Sequence, residues 1–311
     1  MNFKLASFPR LVALSLFLAW SLSAFFSFAK AVGPSSSPAL EVRDLCYNRL
    51  KPFVAISRAS GANLISGIGS DVHLKQVCAA VLVEPSCLSV LGEPIFHYDR
   101  LSHDPLARKI LVIGLIHGDE FPSGIVSRFW MERLHQISPR NTWRIVPVLN
   151  PDGVDKKTRM NARGVDLNRN FPTQDWEKLA TREWQDKYKS NPRRFPGDSG
   201  GSEPETKCAL KHIEDFKPDF VVSIHTPLRV LDFDGPSIPA PSYGYLPWRR
   251  LGNFPGSLGR YMWVEKNTPV LTAEFMHEPP QMEPLAHLQD IIGNLSRFEN
   301  PSHSTAQTTD P

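Results

Sequence analysis

Apolar runs and segments of helical spacing alternate through the middle of the chain. Residues 109–116 form the clearest run, which consists mostly of Ile, Leu and Val without alternation of polar and apolar positions. Such a run is typical of a strand that is buried on both faces of a parallel sheet. After this run in the sequence, apolar residues recur every three or four positions, which predicts an amphipathic helix. These residues are Val126, Phe129, Trp130, Leu134 and Ile137.

The same alternation continues towards the end of the chain and favours an α/β fold. Three further apolar runs are predicted strands, at residues 143–149, 220–224 and 269–274. A capping box, with Ser202 as N-cap and Glu205 three residues later, predicts the start of one helix. Apolar spacing over residues 285–295 predicts a closing helix. Between these elements lie a long polar stretch at residues 155–201 and a predicted surface loop at residues 233–259.

The N-terminus has the pattern of a secretory signal peptide. Lys4 and Arg10 precede an apolar run at residues 11–29, and small residues before Val32 offer a cleavage site. The run is longer than a usual signal core, so retention as a membrane anchor is the alternative. Either interpretation predicts a periplasmic or secreted protein, in which the even number of cysteines permits disulfides. A bridge between Cys46 and Cys78 is favoured over two buried free thiols.

These segments divide the 311-residue chain into four parts. The parts are a signal peptide at residues 1–31, a linker and small N-terminal extension at 32–100, a main domain at 101–299 and a disordered tail at 300–311. A hydrophobic content of 41% and a charged content of 22% are those of an ordinary globular protein. The net charge of +3 is too small to favour a nucleic-acid partner, and a membrane partner is expected only if the N-terminal segment stays uncleaved.

Residues with ligand chemistry stand where the predicted strands end. His117 and Glu120 follow the first strand, His225 follows another, and Glu274 ends the last. Because the carboxyl ends of parallel strands meet at one edge of a sheet, these four side chains are expected to converge. Imidazole and carboxylate groups are good zinc ligands, and a catalytic zinc commonly has three protein ligands and a water.

The chain resembles the zinc carboxypeptidases related to carboxypeptidase A, and within them the bacterial murein peptide amidases. The similar segments, in the same order, are HGDE at residues 117–120, NPDG at 150–153, RMNARGVDLNRNF at 159–171, GSEPET at 201–206, SIH at 223–225 and TAE at 272–274. The resemblance implies a three-layer α/β/α fold with a mixed, mostly parallel central sheet, preceded by the small N-terminal extension.

The resemblance also implies residue roles. One Zn²⁺ per chain is expected on His117, Glu120 and His225. Glu274 is expected to act as general base, and Arg159, for which Arg163 is a nearby competitor, is expected to stabilise the oxyanion.

Three further residues resemble the substrate and supporting positions of the family. Asn168 and Arg169 match the pair that binds the free carboxylate of the substrate. Asp166 matches the carboxylate that orients a zinc-bound imidazole. The substrate-side tyrosine of the family has no clean match, and Tyr243, Tyr245 and Tyr261 are the candidates.

The expected activity is hydrolysis of the γ-D-glutamyl-meso-diaminopimelate bond in peptides derived from peptidoglycan. Asp232 and Asp234 either receive an amino group of diaminopimelate or form turns. The basic residues Lys187, Lys189, Arg193 and Arg194 either meet an anionic peptide or form a solvated face. The alternatives are a carboxypeptidase for ordinary peptides, a deacylase of N-acyl amino acids, and an inactive peptidoglycan-binding module.

Overall fold

The computed structural model describes residues 38–56 and 67–297. The predicted signal peptide at residues 1–31 and the predicted disordered tail at residues 300–311 lie outside these ranges. Within them, none of the helices combines the length and the apolar character needed to cross a bilayer.

A seven-stranded mixed sheet forms the centre of the protein, in the order β1-β2-β4-β3-β5-β7-β6. Its strands are β1 (Val81–Leu88), β2 (Pro94–Arg100), β3 (Lys109–Ile113), β4 (Thr142–Val146), β5 (Phe220–His225), β6 (Val230–Asp234) and β7 (Val270–Glu274). Five strands run in one direction, and only β2 and β6 run in the other. The central strands β4, β3, β5 and β7 are parallel, so their carboxyl ends share one edge of the sheet.

Helices cover both faces of the sheet. They are α1 (Pro38–Leu50), α2 (Asp71–Cys78), α3 (Phe121–Gln136), α4 (Pro151–Lys156), α5 (Trp176–Asp186), α6 (Pro204–Phe216), α7 (Leu258–Arg260) and α8 (Met282–Leu295). One apolar core joins a face of the sheet to α1, α2, α3 and α8. The second core joins the opposite face to α6, α7 and Phe171. The predicted three-layer α/β/α fold with a mixed, mostly parallel sheet is therefore confirmed.

The N-terminal extension is continuous with the main sheet. Strands β1 and β2 pair with each other, and β2 pairs with β4, so no break in the sheet marks the boundary drawn at residue 100. The predicted disulfide between Cys46 of α1 and Cys78 of α2 is confirmed. A second disulfide joins Cys87 of β1 to Cys208 of α6.

Three predicted element ends are wrong, and one of them is the end of β4, which stops at Val146 rather than at residue 149. Strand β3 stops at Ile113 rather than continuing to residue 116, because Leu115 has a left-handed φ of 43° that ends the extended backbone. Helix α6 begins at Pro204 with Glu203 as N-cap, so the predicted capping box is absent. The Ser202 hydroxyl donates instead to the Glu203 carboxylate.

Helix α5 and strand β6 are among the elements that occupy segments in which none was predicted. Helix α5 lies within the polar stretch, where only Trp176 and Ala180 are buried on its inner side. Strand β6 ends inside the predicted surface loop and pairs antiparallel with β7 at the edge of the sheet.

Candidate active site

A cavity of about 250 Å³ opens at the carboxyl ends of the parallel strands. All seven residues with predicted catalytic, metal-binding or substrate-binding roles line it. They are His117, Glu120, Arg159, Asn168, Arg169, His225 and Glu274. The sequence motifs, which are spread over more than 150 positions, are thus brought together in one cavity.

The three predicted metal ligands converge in this cavity. The carboxylate of Glu120 lies between two imidazoles, 2.8 Å from His117 Nδ1 and 3.0 Å from His225 Nδ1. The two Nδ1 atoms are 3.2 Å apart. Ligand atoms on a tetrahedral zinc, with bonds near 2.0–2.1 Å, are about 3.3 Å apart, so these residues fit the ion.

The loop that carries His117 is held by the neighbouring NPDG turn. Asn150 Oδ1 accepts a hydrogen bond from Gly153 N, and Asn150 Nδ2 faces the carbonyl of Ile116 at 3.4 Å. A Cβ on Gly118 would lie 2.0 Å from the carbonyl carbon of Gly153, so only glycine allows the two backbones to approach this closely. This close approach packs the HGDE segment directly against the NPDG turn.

The outer ring nitrogens of both histidines have partners. His117 Nε2 lies 3.0 Å from Asp166 Oδ1, and His225 Nε2 lies 2.8 Å from Ser223 Oγ. The hydrogen bond that each Nε2–H donates orients the ring so that Nδ1 points to the ligand position. Asp166 was predicted in this role, whereas the role of Ser223 was not.

Charges within the site keep Asp166 and Glu120 ionised. Burial would raise the pKa of Asp166, but Arg159 and His117 outweigh it and hold that pKa well below its ordinary value. Burial would likewise raise the pKa of Glu120, and the two imidazoles lower it instead. Both carboxylates are therefore negatively charged at neutral pH, as metal binding requires.

Arg159 rather than Arg163 faces the site. Its Nε donates to Asp166 Oδ2 at 2.9 Å and its Nη1 to Glu120 Oε1 at 3.3 Å. Arg163 has a side chain that is 56% exposed and lies 3.5 Å from Glu203, outside the cavity. The geometry thus selects Arg159 as the cation beside the ligands.

Glu274 stands beside the ligands at the end of β7. It is the register partner of His225 in β5, which places the two residues side by side at the edge of the sheet. Its Oε2 accepts a hydrogen bond of 3.3 Å from Leu228 N. Among the described residues, Oε1 has no such partner, so one carboxylate oxygen is available to a substrate or water.

Asn168 and Arg169 form one wall of the cavity. Asn168 Oδ1 accepts from Leu258 N at 2.9 Å, which leaves its amide directed towards His225. The guanidinium of Arg169 packs on the ring of Phe254 at 4.6 Å, and its Nε has no partner among the described residues. An unsatisfied guanidinium donor in a cavity is suited to binding a carboxylate.

Asp232 and Asp234 line the same cavity on the side of β6. They alternate along the strand and share a sheet face with Thr272 and Glu274 of β7. Burial, with the nearby charge of Asp232, raises the pKa of Asp234 to about 6. Neither acid forms an ion pair within the described ranges, although Arg250 lies close enough for its charge to lower the pKa of both and Asn253 hydrogen-bonds to Asp234.

None of the three candidate tyrosines lines the cavity. Tyr243 is buried with its hydroxyl on the carbonyl of Pro284, Tyr245 packs against Tyr243, and Tyr261 packs against Phe171. Among the described residues, Phe254 is the Phe, Tyr or Trp side chain that lines the cavity, and no sequence motif pointed to it.

The fold and the ligand set define a metal-dependent hydrolase, and comparison with known proteins specifies the family. The zinc carboxypeptidase family matches residues 88–233. Murein peptide amidase A of Escherichia coli K12 is 31% identical over 210 residues, covering 60% of this chain and 78% of the relative. The chain therefore belongs to the zinc carboxypeptidase family, whose members depend on zinc, and is an enzyme of the metallocarboxypeptidase type.

Solved structures agree with this assignment. A murein-tripeptide amidase from Escherichia coli O157 superposes with a TM-score of 0.50 at 25% identity, covering 80% of this chain and 99% of that one. A carboxypeptidase A from Helicoverpa armigera has a TM-score of 0.52 at 16% identity, with 83% and 78% of the two chains covered. The second similarity shows the shared fold.

Proposed function

We propose that this protein is a zinc-dependent amidase that hydrolyses the γ-D-glutamyl-meso-diaminopimelate bond of murein peptides. The observation that carries the proposal is the single cavity in which the ligand triad, Glu274 and Arg169 meet the acids of β6. Similarity to murein peptide amidases supports the substrate class.

His117, Glu120 and His225 would hold one zinc ion. When bound, zinc supplies Lewis-acid chemistry, since it polarises a carbonyl group and lowers the pKa of a water molecule. The protein's contribution is to fix the ligands, through the contacts of Asp166 and Ser223 with the outer ring nitrogens.

Glu274 acts as the general base and then as the general acid. Its available oxygen takes the proton of the attacking water and returns it to the leaving amine. Arg159 stabilises the negative charge that develops on the carbonyl oxygen, because a fixed cation in a largely buried site needs little reorganisation.

Substrate orientation comes from both sides of the cavity. Arg169 and Asn168 bind the α-carboxylate of the leaving residue, which directs cleavage to a carboxyl end. Asp232 and Asp234 receive the distal amino group of diaminopimelate. A buried and a half-buried acid that form no ion pair among the described residues favour this substrate over ordinary peptides with apolar C-terminal residues.

We also place the enzyme in the periplasm or outside the cell. The signal-like N-terminal sequence supports this location, as do two disulfides, which are typical of oxidising compartments.

Product analysis tests the activity. The zinc-loaded enzyme is expected to release diaminopimelate from L-alanyl-γ-D-glutamyl-diaminopimelate, as detected by mass spectrometry. Amidation of the α-carboxyl group beside the scissile bond should lower kcat/KM by roughly tenfold to a hundredfold, and Arg169→Ala should remove most of that difference. Preferential cleavage of benzoylated amino acids, or equal cleavage of free and amidated tripeptides, would reject the proposal.

A further inference from the structure

Arg194 is a third guanidinium in the cavity, beside those of Arg159 and Arg169, and no motif or proposed step uses it. It ends the 3₁₀ turn Pro192–Arg194 and is half-buried among the residues that line the cavity. Its guanidinium packs on the ring of Tyr188 at 4.3 Å. No carboxylate forms an ion pair with it in the described part of the chain, although Arg193 next to it pairs with Asp119 at 2.7 Å.

The turn that carries Arg194 is anchored to the substrate-binding segment. The carbonyl of Phe195 accepts a 2.8 Å hydrogen bond from Asp166 N, and the carbonyl of Pro196 accepts one of 2.8 Å from Asn170 Nδ2. These residues bracket Asn168 and Arg169, so Arg194 is held in a fixed relation to the carboxylate-binding pair. Packing on Tyr188 further restricts the guanidinium, which reduces the entropy lost when a ligand binds.

Like charges concentrate on this side of the cavity. Burial chiefly lowers the pKa of Arg169; the charge of Asp166 opposes this shift, and the neighbouring cations Arg159 and Arg194 add to it. Arg159 has two carboxylate partners, but Arg169 and Arg194 have none among the described residues. One substrate carboxylate satisfies Arg169, which leaves Arg194 to a second anion.

We propose that Arg194 is a specificity-determining residue that binds a second substrate carboxylate, distinct from the one bound by Arg169. This inference rests on the proposed function. Two groups of a murein tripeptide have the required chemistry, namely the distal carboxylate of the diaminopimelate and the free α-carboxylate of the D-glutamyl residue. Either one would give the cavity two anion sites in addition to the acids of β6.

Three substrates separate the two sources. They are the parent tripeptide, an analogue amidated at the distal carboxylate, and an analogue amidated at the glutamyl α-carboxylate. Kinetic constants are measured for the zinc-loaded full chain and for Arg194→Gln, Arg194→Lys and Lys189→Gln. Lys189 lies on the same loop but is exposed and does not line the cavity, so its replacement controls for the loss of one positive charge.

Arg194→Gln should lower kcat/KM for the parent tripeptide by about tenfold to a hundredfold, mainly through KM, because a charge-assisted contact is lost. The kcat/KM of Arg194→Lys should lie between those of the wild type and Arg194→Gln, since lysine keeps the charge but not the bidentate geometry. Amidation of the recognised carboxylate should lower the kcat/KM of the wild type to the same degree and should have little further effect on the kcat/KM of Arg194→Gln. The analogue that behaves in this way identifies the carboxylate.

The role of Arg194 would be overturned if Arg194→Gln lost kcat/KM equally for all three substrates, or if its loss of kcat/KM were no larger than that of Lys189→Gln. Both results are compatible with release of diaminopimelate by the wild type, so they leave the proposed function standing. Failure of the wild type to cleave the parent tripeptide would reject the proposed function itself and, with it, the role of Arg194 that rests on it.

Discussion

Glu274 lies beside His225 at the edge of the sheet, with one carboxylate oxygen on the Leu228 amide. Replacing it by glutamine preserves the shape and this contact but removes the group that accepts a proton. Glu274→Gln should therefore keep zinc and fold while kcat falls by roughly 10²- to 10⁴-fold. Steady-state kinetics together with metal analysis of the purified variant measure both effects.

Glu278→Gln is the matched control, because Glu278 is an exposed carboxylate four residues away and does not line the cavity. It should keep the turnover of the wild type. If zinc-loaded Glu274→Gln also turns over at the wild-type rate, Glu274 is not the base.

Asp166 contacts both a predicted metal ligand and the predicted oxyanion cation. Its Oδ1 lies 3.0 Å from His117 Nε2, and its Oδ2 accepts from Arg159 Nε. Asp166→Asn should weaken zinc binding by about 10- to 100-fold, because the negative charge that supports the imidazole is lost. Competition with a chromophoric chelator gives the affinity. The exposed Asp198→Asn should bind zinc as the wild type does, and an unchanged affinity of Asp166→Asn would show that this contact does not tune the metal site.

Residues in contiguous motifs were the ones that the sequence could identify. His117 with Glu120, and Asn168 with Arg169, are close in the chain and have recognisable chemistry. Phe254 was not predicted as a site residue, and Arg194 was predicted only as one of four basic residues that either meet an anionic peptide or form a solvated face, because each enters the cavity from a different loop by tertiary contacts. Their local sequences are those of ordinary basic and aromatic surface positions.

The elements that the sequence predicted well are those with a strong apolar pattern. Strand β5 is buried at every position, and α3 is buried along most of its length. Helix α5 buries few residues, and β6 contains two acids, so neither has a pattern that distinguishes it from a loop. Acids on a strand could not be predicted from the local pattern, because the cavity that they face forms only when the chain folds.

Helix α6 carries a buried histidine against β1. His212 is fully buried, with Nε2 at 3.7 Å from Cys87 Sγ and its ring 4.8 Å from that of His97. Burial, with the nearby His97, lowers its pKa from the ordinary 6.5 to about 3. The unfolded chain therefore binds a proton more readily than the folded one, so stability is lost as pH falls from about 6.5 towards 3.

This linkage predicts a loss of about 2 kcal/mol in the free energy of unfolding between pH 7 and pH 5 from His212 alone. The free energy of unfolding of His212→Leu should fall by about that much less over the same pH interval, as measured by urea unfolding at the two pH values. His103 is exposed, so His103→Leu should show the same pH dependence of the free energy of unfolding as the wild type. Parallel pH dependence of His212→Leu and wild type would show that His212 does not titrate on unfolding.

At the scale of the whole molecule, the layer order followed from the sequence, but the extent of the sheet did not. Alternating strands and helices predicted three layers, and the resemblance predicted a mixed sheet. Residues 81–100 were assigned to an extension because Gly, Ser and Pro interrupt their apolar runs. Pairing of β2 with β4 is a long-range contact that local patterns do not encode.

The two disulfides join this N-terminal region to itself and to the rest of the protein. The first closes a separation of 32 residues and the second a separation of 121. In the chain-entropy description, loops of these lengths destabilise the unfolded state by about 4 and about 5 kcal/mol. Replacing Cys87 and Cys208 by alanine should therefore lower the free energy of unfolding by about 1 kcal/mol more than replacing Cys46 and Cys78.

Guanidinium unfolding of the two double variants, followed by tryptophan fluorescence, measures this difference, and each variant is the control for the other. Each variant removes two buried sulfur atoms, so the cost of the small cavities left behind is similar. None of the four cysteines lines the active-site cavity, so both variants should keep the kcat of the wild type while folded. If the variant lacking Cys46 and Cys78 is the less stable one, loop length does not determine how these bridges stabilise the protein.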